Sequence, residues 1–213
     1  MIQLPDFDKS FEYENAFHLS CDVTRISKFI AHYELYRLSI GVPGAIVECG
    51  VFKGISFIRL MTFRDLLEHP TSRRIVGFDT FTGYPETDFD DEKAMRNEFI
   101  GKAGDESISE KQLVRVLEHK GLNENVELVP GLIEETVPEY IASHPEFSIS
   151  LLHLDTDLYA PSVTVMKHLF PRISRGGILI LDDYAIWPGE TQAVNEYLQE
   201  MDVSIRKFSY TER

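Results

Sequence analysis

The sequence predicts an α/β fold, a doubly wound Rossmann-like sandwich with a mostly parallel sheet, helices on both faces and an N-terminal helical extension. Short apolar runs alternate along the chain with segments whose apolar residues recur at spacings of three and four, the helical period. The runs are almost continuously apolar rather than alternating, which requires burial on both faces, as in a parallel sheet covered by helices. No internal repeat, low-complexity tract or Pro/Gly/Ser linker divides the chain, so residues 1–213 read as one domain.

The extension covers residues 1–43 and holds a helix over about 22–40, with an apolar stripe at Ile26, Phe29, Ile30, Tyr33 and Tyr36. Its assigned role is packing against the sheet edge or a second subunit. AIVEC (45–49) is the first strand, followed by a helix carrying Phe57, Leu60 and Met61. RIVGFD (74–79) is the second. The stretch 80–109 that follows is long for a compact domain and reads as a lid or substrate loop. Its acidic run, Asp88, Asp90, Asp91 and Glu92, reads as a solvated face rather than a metal site. A helix with Leu113, Val116 and Leu117 leads to the third strand, NVELVP (125–130), and SISLLHLD (148–155) is the fourth. A helix with Val163, Met166, Leu169 and Phe170 precedes GILILDD (177–183), and one with Val194, Tyr197 and Leu198 precedes a weaker sixth strand, VSIRKFSY (203–210).

Composition removes several function classes. The 35 acidic against 21 basic side chains give a net charge of −14. The longest basic runs are pairs such as Arg73 and Arg74, which disfavours nucleic acid and anionic membranes as partners. No apolar stretch reaches spanning length and the N-terminus lacks the pattern of a secretory signal, so a cytoplasmic location is expected. Cys21 and Cys49 make no disulfide framework, and without CxxC or His/Cys zinc spacing any metal site must use oxygen ligands. The usual hydrolase and NTPase motifs are missing as well.

In open α/β sheets ligands bind at the carboxyl ends of the strands. The first strand runs into VECGVFKGIS, placing Glu48, Gly50 and Gly54 in an E-x-G-x-x-x-G loop that opens a helix. A dinucleotide fingerprint needs glycine where this chain has Phe52. Glu48 would repel a phosphate and welcome an ammonium or sulfonium, so S-adenosylmethionine fits; a glycine turn without functional meaning is the alternative. Asp79, ending the second strand, suits the ribose hydroxyls of an adenosine, or else caps a helix.

The fourth strand runs into LDTDLYAPS, with Asp155 and Asp157, and the fifth into LILDDYAIWPG, with Asp182 and Asp183. On neighbouring strands about 4.8 Å apart, these carboxylates converge and require a cation. Oxygen ligands of this kind suit Mg²⁺ or Ca²⁺. Asp155, Asp182 and Asp183 are assigned as ligands, and Asp157 is left to helix capping or substrate contact; the alternative is that all are solvated loop caps. His153, in phase with Asp155, reads as a hydrogen-bonded core histidine.

Together, GVPGAIVECGVFKGIS, GFDTFTGYPE, LDTDLYAPS and LILDDYAIWPGETQAVNEY resemble the macrocin O-methyltransferase family, from about Thr24 to Tyr197. The resemblance implies a class I methyltransferase fold, S-adenosylmethionine as donor and a divalent metal, usually Mg²⁺. Carried over by motif, Glu48, Gly50 and Ser56 line the methionine end within a loop that includes Cys49, Val51 and Gly54. Asp79 and Thr80 meet the ribose, and Gly131 and Asp155 complete the donor contacts. Asp155, Asp182 and Asp183 hold the metal, and Asp155 is also the implied general base.

The acceptor implied is a small-molecule sugar, with a phenol or catechol as alternative, and a homodimer or higher homo-oligomer is expected. A non-catalytic donor-binding or assembly protein is the rival from another class. The Trp187, Pro188, Gly189 turn is retained, whereas the basic residue that relatives carry near Thr191 and Gln192 is not. The family fold adds a last antiparallel strand where this sequence stops at Arg213, so the sheet edge is expected to be shortened or completed by a partner. The lid, 80–109, carries no readable code for the acceptor, and the acidic excess opposes a nucleotide-linked sugar unless local Lys or Arg side chains receive it.

Overall fold

The computed structural model describes residues 2–211. Two N-terminal helices, α1 (Ser10–Ser20) and α2 (Val23–Ser39), lead into alternating strands and helices: β1 (Ala45–Cys49), α3 (Ile55–Leu67), β2 (Ile75–Asp79), α4 (Asp90–Ala103), α5 (Glu110–Lys120), β3 (Val126–Pro130), α6 (Ile133–Ser143), β4 (Ile149–Leu154), α7 (Tyr159–His168), β5 (Ile173–Leu181) and α8 (Pro188–Leu198). Among the described residues the sheet has five strands, all parallel, in the order β3-β2-β1-β4-β5. The chain steps outward from β1 to β3 and then returns to place β4 on the other side of β1. A crevice opens where the winding reverses, at the carboxyl ends of β1 and β4.

The near-continuous apolar runs are explained by the two cores. In β1, β2 and β4 every residue is buried. Ile46, Ile75, Leu151 and Ile180 pack against Tyr36 of α2, Phe57, Leu60 and Met61 of α3, and Leu113, Val116 and Leu117 of α5. Val47, Cys49, Val76, Phe78, Leu152 and Leu154 face Val137 and Ile141 of α6, Val165 and Met166 of α7, and Val194 of α8. Side chains alternate between the two sides with period two, so each strand feeds both cores. No helix of the described residues is long and apolar enough to cross a membrane.

Four expectations need correction. Residues 203–210 form no strand; Val203 and Ile205 are exposed there. Alternating side chains suit a strand, but a strand exists only where a neighbour takes its N–H and C=O groups, and that partner is not encoded locally. β5 begins at Ile173, four residues earlier than expected, after a single 3-10 turn at Phe170–Arg172. The stretch 80–109 is not structureless: it contains α4, whose first turn holds Asp90, Asp91 and Glu92 at the positive end of the helix dipole. Its base is closed by a bridge between Gly83 and Glu106 and by Tyr84 N–H to Asp105 O at 2.7 Å. Finally, α2 does pack on the sheet beside β5, but its buried face carries His32, Tyr36 and Ser39, while Phe29 and Ile30 of the expected stripe are exposed.

Candidate active site

Strand register decides which carboxylates meet. Glu48 of β1 lies beside His153 of β4, and His153 beside Ile180 of β5. Counting by two, Asp155 follows His153 and Asp182 follows Ile180 on the same side, the one covered by α2 and α3. Cys49 points the other way, into the core with Leu152 and Leu154. Its carbonyl still matters, because it accepts the Asp155 N–H at 3.0 Å and joins the two strand ends.

Gly50 sits at that junction with φ +92, and a Cβ there would lie 1.8 Å from the Asp155 carbonyl oxygen. Only glycine permits both the left-handed turn and the close approach. Past it, Val51 and Phe52 donate their N–H groups to Asp79 Oδ2 at 2.8 and 2.9 Å, while Phe81 N–H donates to Asp79 Oδ1 at 2.7 Å. Asp79 therefore ties the β1–α3 loop to the end of β2. A carboxylate has about four lone-pair directions, so roughly one is left for a ligand. Thr80 donates its hydroxyl to Gly83 O at 2.8 Å, and Gly131 N–H reaches Asp79 O at 3.0 Å, which brings the end of β3 to the same edge.

Gly54 (φ +83) opens α3, and Ser56 two residues later donates its hydroxyl to Glu48 Oε1 at 2.6 Å. Glu48 Oε2 is fully buried with no hydrogen-bond partner. Its neighbour, His153 Nδ1, is 3.6 Å away, close enough for charge attraction but too far for a hydrogen bond.

The ligand oxygens of Asp155, Asp182 and Asp183 fall within 4.8 Å of one another. Three nitrogen-bearing side chains surround Asp182: His153 Nε2 donates to Oδ1 at 3.2 Å, His32 Nε2 lies 3.6 Å from the same oxygen, and the Lys28 ammonium bonds Oδ2. Arg59 donates to His32 Nδ1 at 3.2 Å, which leaves the His32 proton on Nε2, facing Asp182. Burial pulls His32 down to about 4, so this ring is neutral. Burial alone would also lower His153, but Asp182 and Glu48 outweigh it and hold its pKa well above the ordinary value. Asp182 resists its own burial through His153, His32 and Lys28 and titrates well below the usual carboxylate range. Asp155 is pushed up by burial and then by the Asp182 charge.

Asp157 does not cap α7. It is buried at φ +60, accepts the Tyr84 hydroxyl at 2.7 Å, and is pushed up by burial and then by Asp183 beside it. The cap of α7 comes from the lid instead: Glu92 Oε2 accepts Tyr159 N–H at 3.0 Å, and Thr87 donates its hydroxyl to Oε1. Glu92 is fully buried, which corrects its assignment to a solvated face. It also accounts for the glycine in the retained turn, since a Cβ on Gly189 would lie 1.7 Å from Glu92 Oε2. Glu190, next along, accepts Asp183 N–H at 3.2 Å and is raised to about 8 by burial and the Asp183 charge. Above these acids Phe99 of α4 lies between Phe52 and Trp187, with ring centroids 5.7 and 5.8 Å away, and Tyr84 at 5.4 Å completes an aromatic wall.

The structure thus gathers Glu48, Gly50, Val51, Gly54, Ser56, Asp79, Thr80, Gly131, Asp155, Asp182 and Asp183 along one edge, with Cys49 contributing backbone only. Sequence reasoning missed Lys28, His32, Arg59, Tyr84 and Glu190. The spacing of Lys28 and His32, one helical turn apart and in line with buried Tyr36 and Ser39, was the available signal.

The family model for macrocin-O-methyltransferase matches residues 25–207. The tetracenomycin-pathway enzyme 8-demethyl-8-(2,3-dimethoxy-alpha-L-rhamnosyl)-tetracenomycin-C 4'-O-methyltransferase of Streptomyces olivaceus is 33% identical over 78% of this chain and 62% of its own length. Mycinamicin III 3''-O-methyltransferase of Micromonospora griseorubida is 29% identical over 91% of this chain and 75% of its own length. The chain thus spans about three fifths to three quarters of these relatives. The crystal structure of the calicheamicin methyltransferase CalS11 superposes with a TM-score of 0.77 at 28% identity, covering 96% of this chain and 83% of that one. Its apo structure, described as a TDP-rhamnose 3'-O-methyltransferase, gives 0.70 at 27% identity, covering 96% and 84%.

Proposed function

The chain belongs to the macrocin O-methyltransferase family, and on that premise we propose that it transfers a methyl group from S-adenosylmethionine to a hydroxyl of a small-molecule sugar in natural-product or polysaccharide biosynthesis, with the help of a divalent cation. The observation that carries this reading is the convergence of Asp155, Asp182 and Asp183 beside Glu48, whose second oxygen is buried and unpaired. A donor with an ammonium group supplies the hydrogen-bond donor that such an oxygen lacks. The glycosyl acceptors named for the tetracenomycin relative and for CalS11 support a sugar over a phenol.

The set Asp155, Asp182 and Asp183 fits a hard cation such as Mg²⁺, because these three offer carboxylate oxygens alone; two overlapping groups add the imidazoles of His32 and His153 beside them. Held by Asp155, Asp182 and Asp183, the ion would lower the pKa of an acceptor hydroxyl, which is otherwise a poor nucleophile at neutral pH. The protein's own groups do the rest. Glu48, positioned by Ser56, holds the amino end of the donor, and Asp79 offers its remaining lone pair to the ribose. Asp155, whose carboxylate lies at the end of β4 beside Asp182 and Asp183, accepts the proton of the attacking hydroxyl. His153 fixes Asp182, and the wall of Phe52, Tyr84, Phe99 and Trp187 keeps water from the transfer path and offers apolar faces to a sugar ring.

The test is purified protein with labelled donor and a panel of nucleotide-linked sugars, free glycosides and catechols, with products read by mass. Methylation of a glycoside or sugar nucleotide is the expected result. Transfer only to catechols would move the acceptor class, and tight donor binding with no transfer to any acceptor would favour the assembly-protein rival.

A further inference from the structure

Read from its sequence α2 is a packing helix, yet it delivers Lys28 into the acid cluster. The Lys28 ammonium bonds Asp182 Oδ2, while Asp182 Oδ1 is shared by His153 and His32. An ion coordinated by Asp182 requires a lone pair from this carboxylate, and Oδ2 is the oxygen not held by a buried imidazole. A divalent cation and an ammonium at the same oxygen repel strongly at this depth. Of the three side chains held against Asp182 only Lys28 has a way out: it is 29% exposed, against 3% for His32 and 0% for His153. A flexible four-carbon stem lets its head group move to solvent without shifting α2.

We propose that Lys28 is an exchangeable counter-cation: it neutralises Asp182 until a divalent ion enters, then swings out toward water at the rim of the site. This rests on the reading of Asp155, Asp182 and Asp183 as metal ligands. The exchange gives α2 a function beyond packing, since the Lys28–Asp182 tie joins the N-terminal extension to the end of β5. Metal occupancy then determines whether that tie is made. The displaced ammonium is left at the rim, a position from which it can receive an anionic group of the acceptor.

The experiment uses full-length protein stripped with EDTA and titrated with Mn²⁺ by calorimetry. In parallel, a pulse of acetic anhydride labels accessible amines and the Lys28 peptide is quantified by mass. The wild-type Lys28 labelling rate is expected to rise severalfold on saturation with Mn²⁺, while Lys28→Met, which removes the competitor, binds Mn²⁺ about tenfold more tightly or better. If the wild type takes up Mn²⁺ and Lys28 labelling stays flat or falls, exchange is wrong while the metal site stands. If neither protein takes up Mn²⁺, the metal reading fails and exchange falls with it. Uptake by Lys28→Met alone would show that Lys28 blocks the site and is not displaced from it, which overturns exchange.

Discussion

Asp182→Asn is expected to reduce methyl transfer by on the order of 10³-fold or more while leaving the Kd for S-adenosylmethionine within about threefold of wild type. The asymmetry follows from where the side chain sits. Asp182 Oδ1 and Oδ2 engage His153, His32 and Lys28 and contribute to the oxygen cluster, but no bond runs from Asp182 to the Gly50 loop or to Asp79. The donor contacts proposed for Glu48 and Asp79 therefore survive, and the loss falls on activation of the acceptor. An amide at this position deprives His153 of its nearest charged partner, so thermal unfolding should be recorded beside kinetics. Where Asp182→Asn is poorly folded, Asp183→Asn is the second test, since Asp183 belongs to the same oxygen cluster. Turnover near wild type in a folded variant of either kind would remove the acid cluster from the mechanism.

Gly50→Ala is expected to be severely destabilising. Its Cβ would come within 1.8 Å of the Asp155 carbonyl oxygen, on a backbone at φ +92. Relief requires separating the ends of β1 and β4, and a cost above about 4 kcal/mol lowers Tm by roughly 10 °C or prevents folding. Gly54→Ala is the control. Gly54 has a similar φ of +83, but its Cβ would meet nothing nearer than Leu113 at 3.4 Å. Only the left-handed backbone then counts against alanine, about 1–2 kcal/mol. Comparable Tm values for the two variants would mean that conformation rather than close approach keeps glycine at Gly50.

The parts of the site legible in the sequence are those written in the strand period. Glu48, His153, Asp155 and Asp182 occupy alternate positions at the ends of apolar runs, so their shared face and edge follow from counting by two. The Gly50 turn and the Asp-Asp pair at 182 and 183 are equally local. Lys28 and His32 were not legible, because a polar pair on an amphipathic helix is read as solvated until the helix is laid across a charged strand end. Glu92 was misread for the same reason: its burial depends on α7 and Gly189, which lie far along the chain. α4 is polar nearly all round, but its acidic first turn, Lys102 in the last turn and Gly104 after it were start and stop signals that apolar periodicity does not see. α6 runs unbroken through Pro138, a residue that reads as a helix stop, and the segment 203–210 has strand-like alternation with no pairing strand among the described residues.

The central claim is that methyl transfer depends on a cation held by the carboxylates at the ends of β4 and β5. The most direct measurement is the rate of transfer from labelled S-adenosylmethionine to whichever sugar the panel identifies, in EDTA-stripped protein titrated with Mg²⁺. The account predicts a rate near background without the ion and saturable recovery with it, in wild type but not in Asp182→Asn. Full activity of the stripped wild type, unaffected by excess EDTA or by added Mg²⁺, would contradict it.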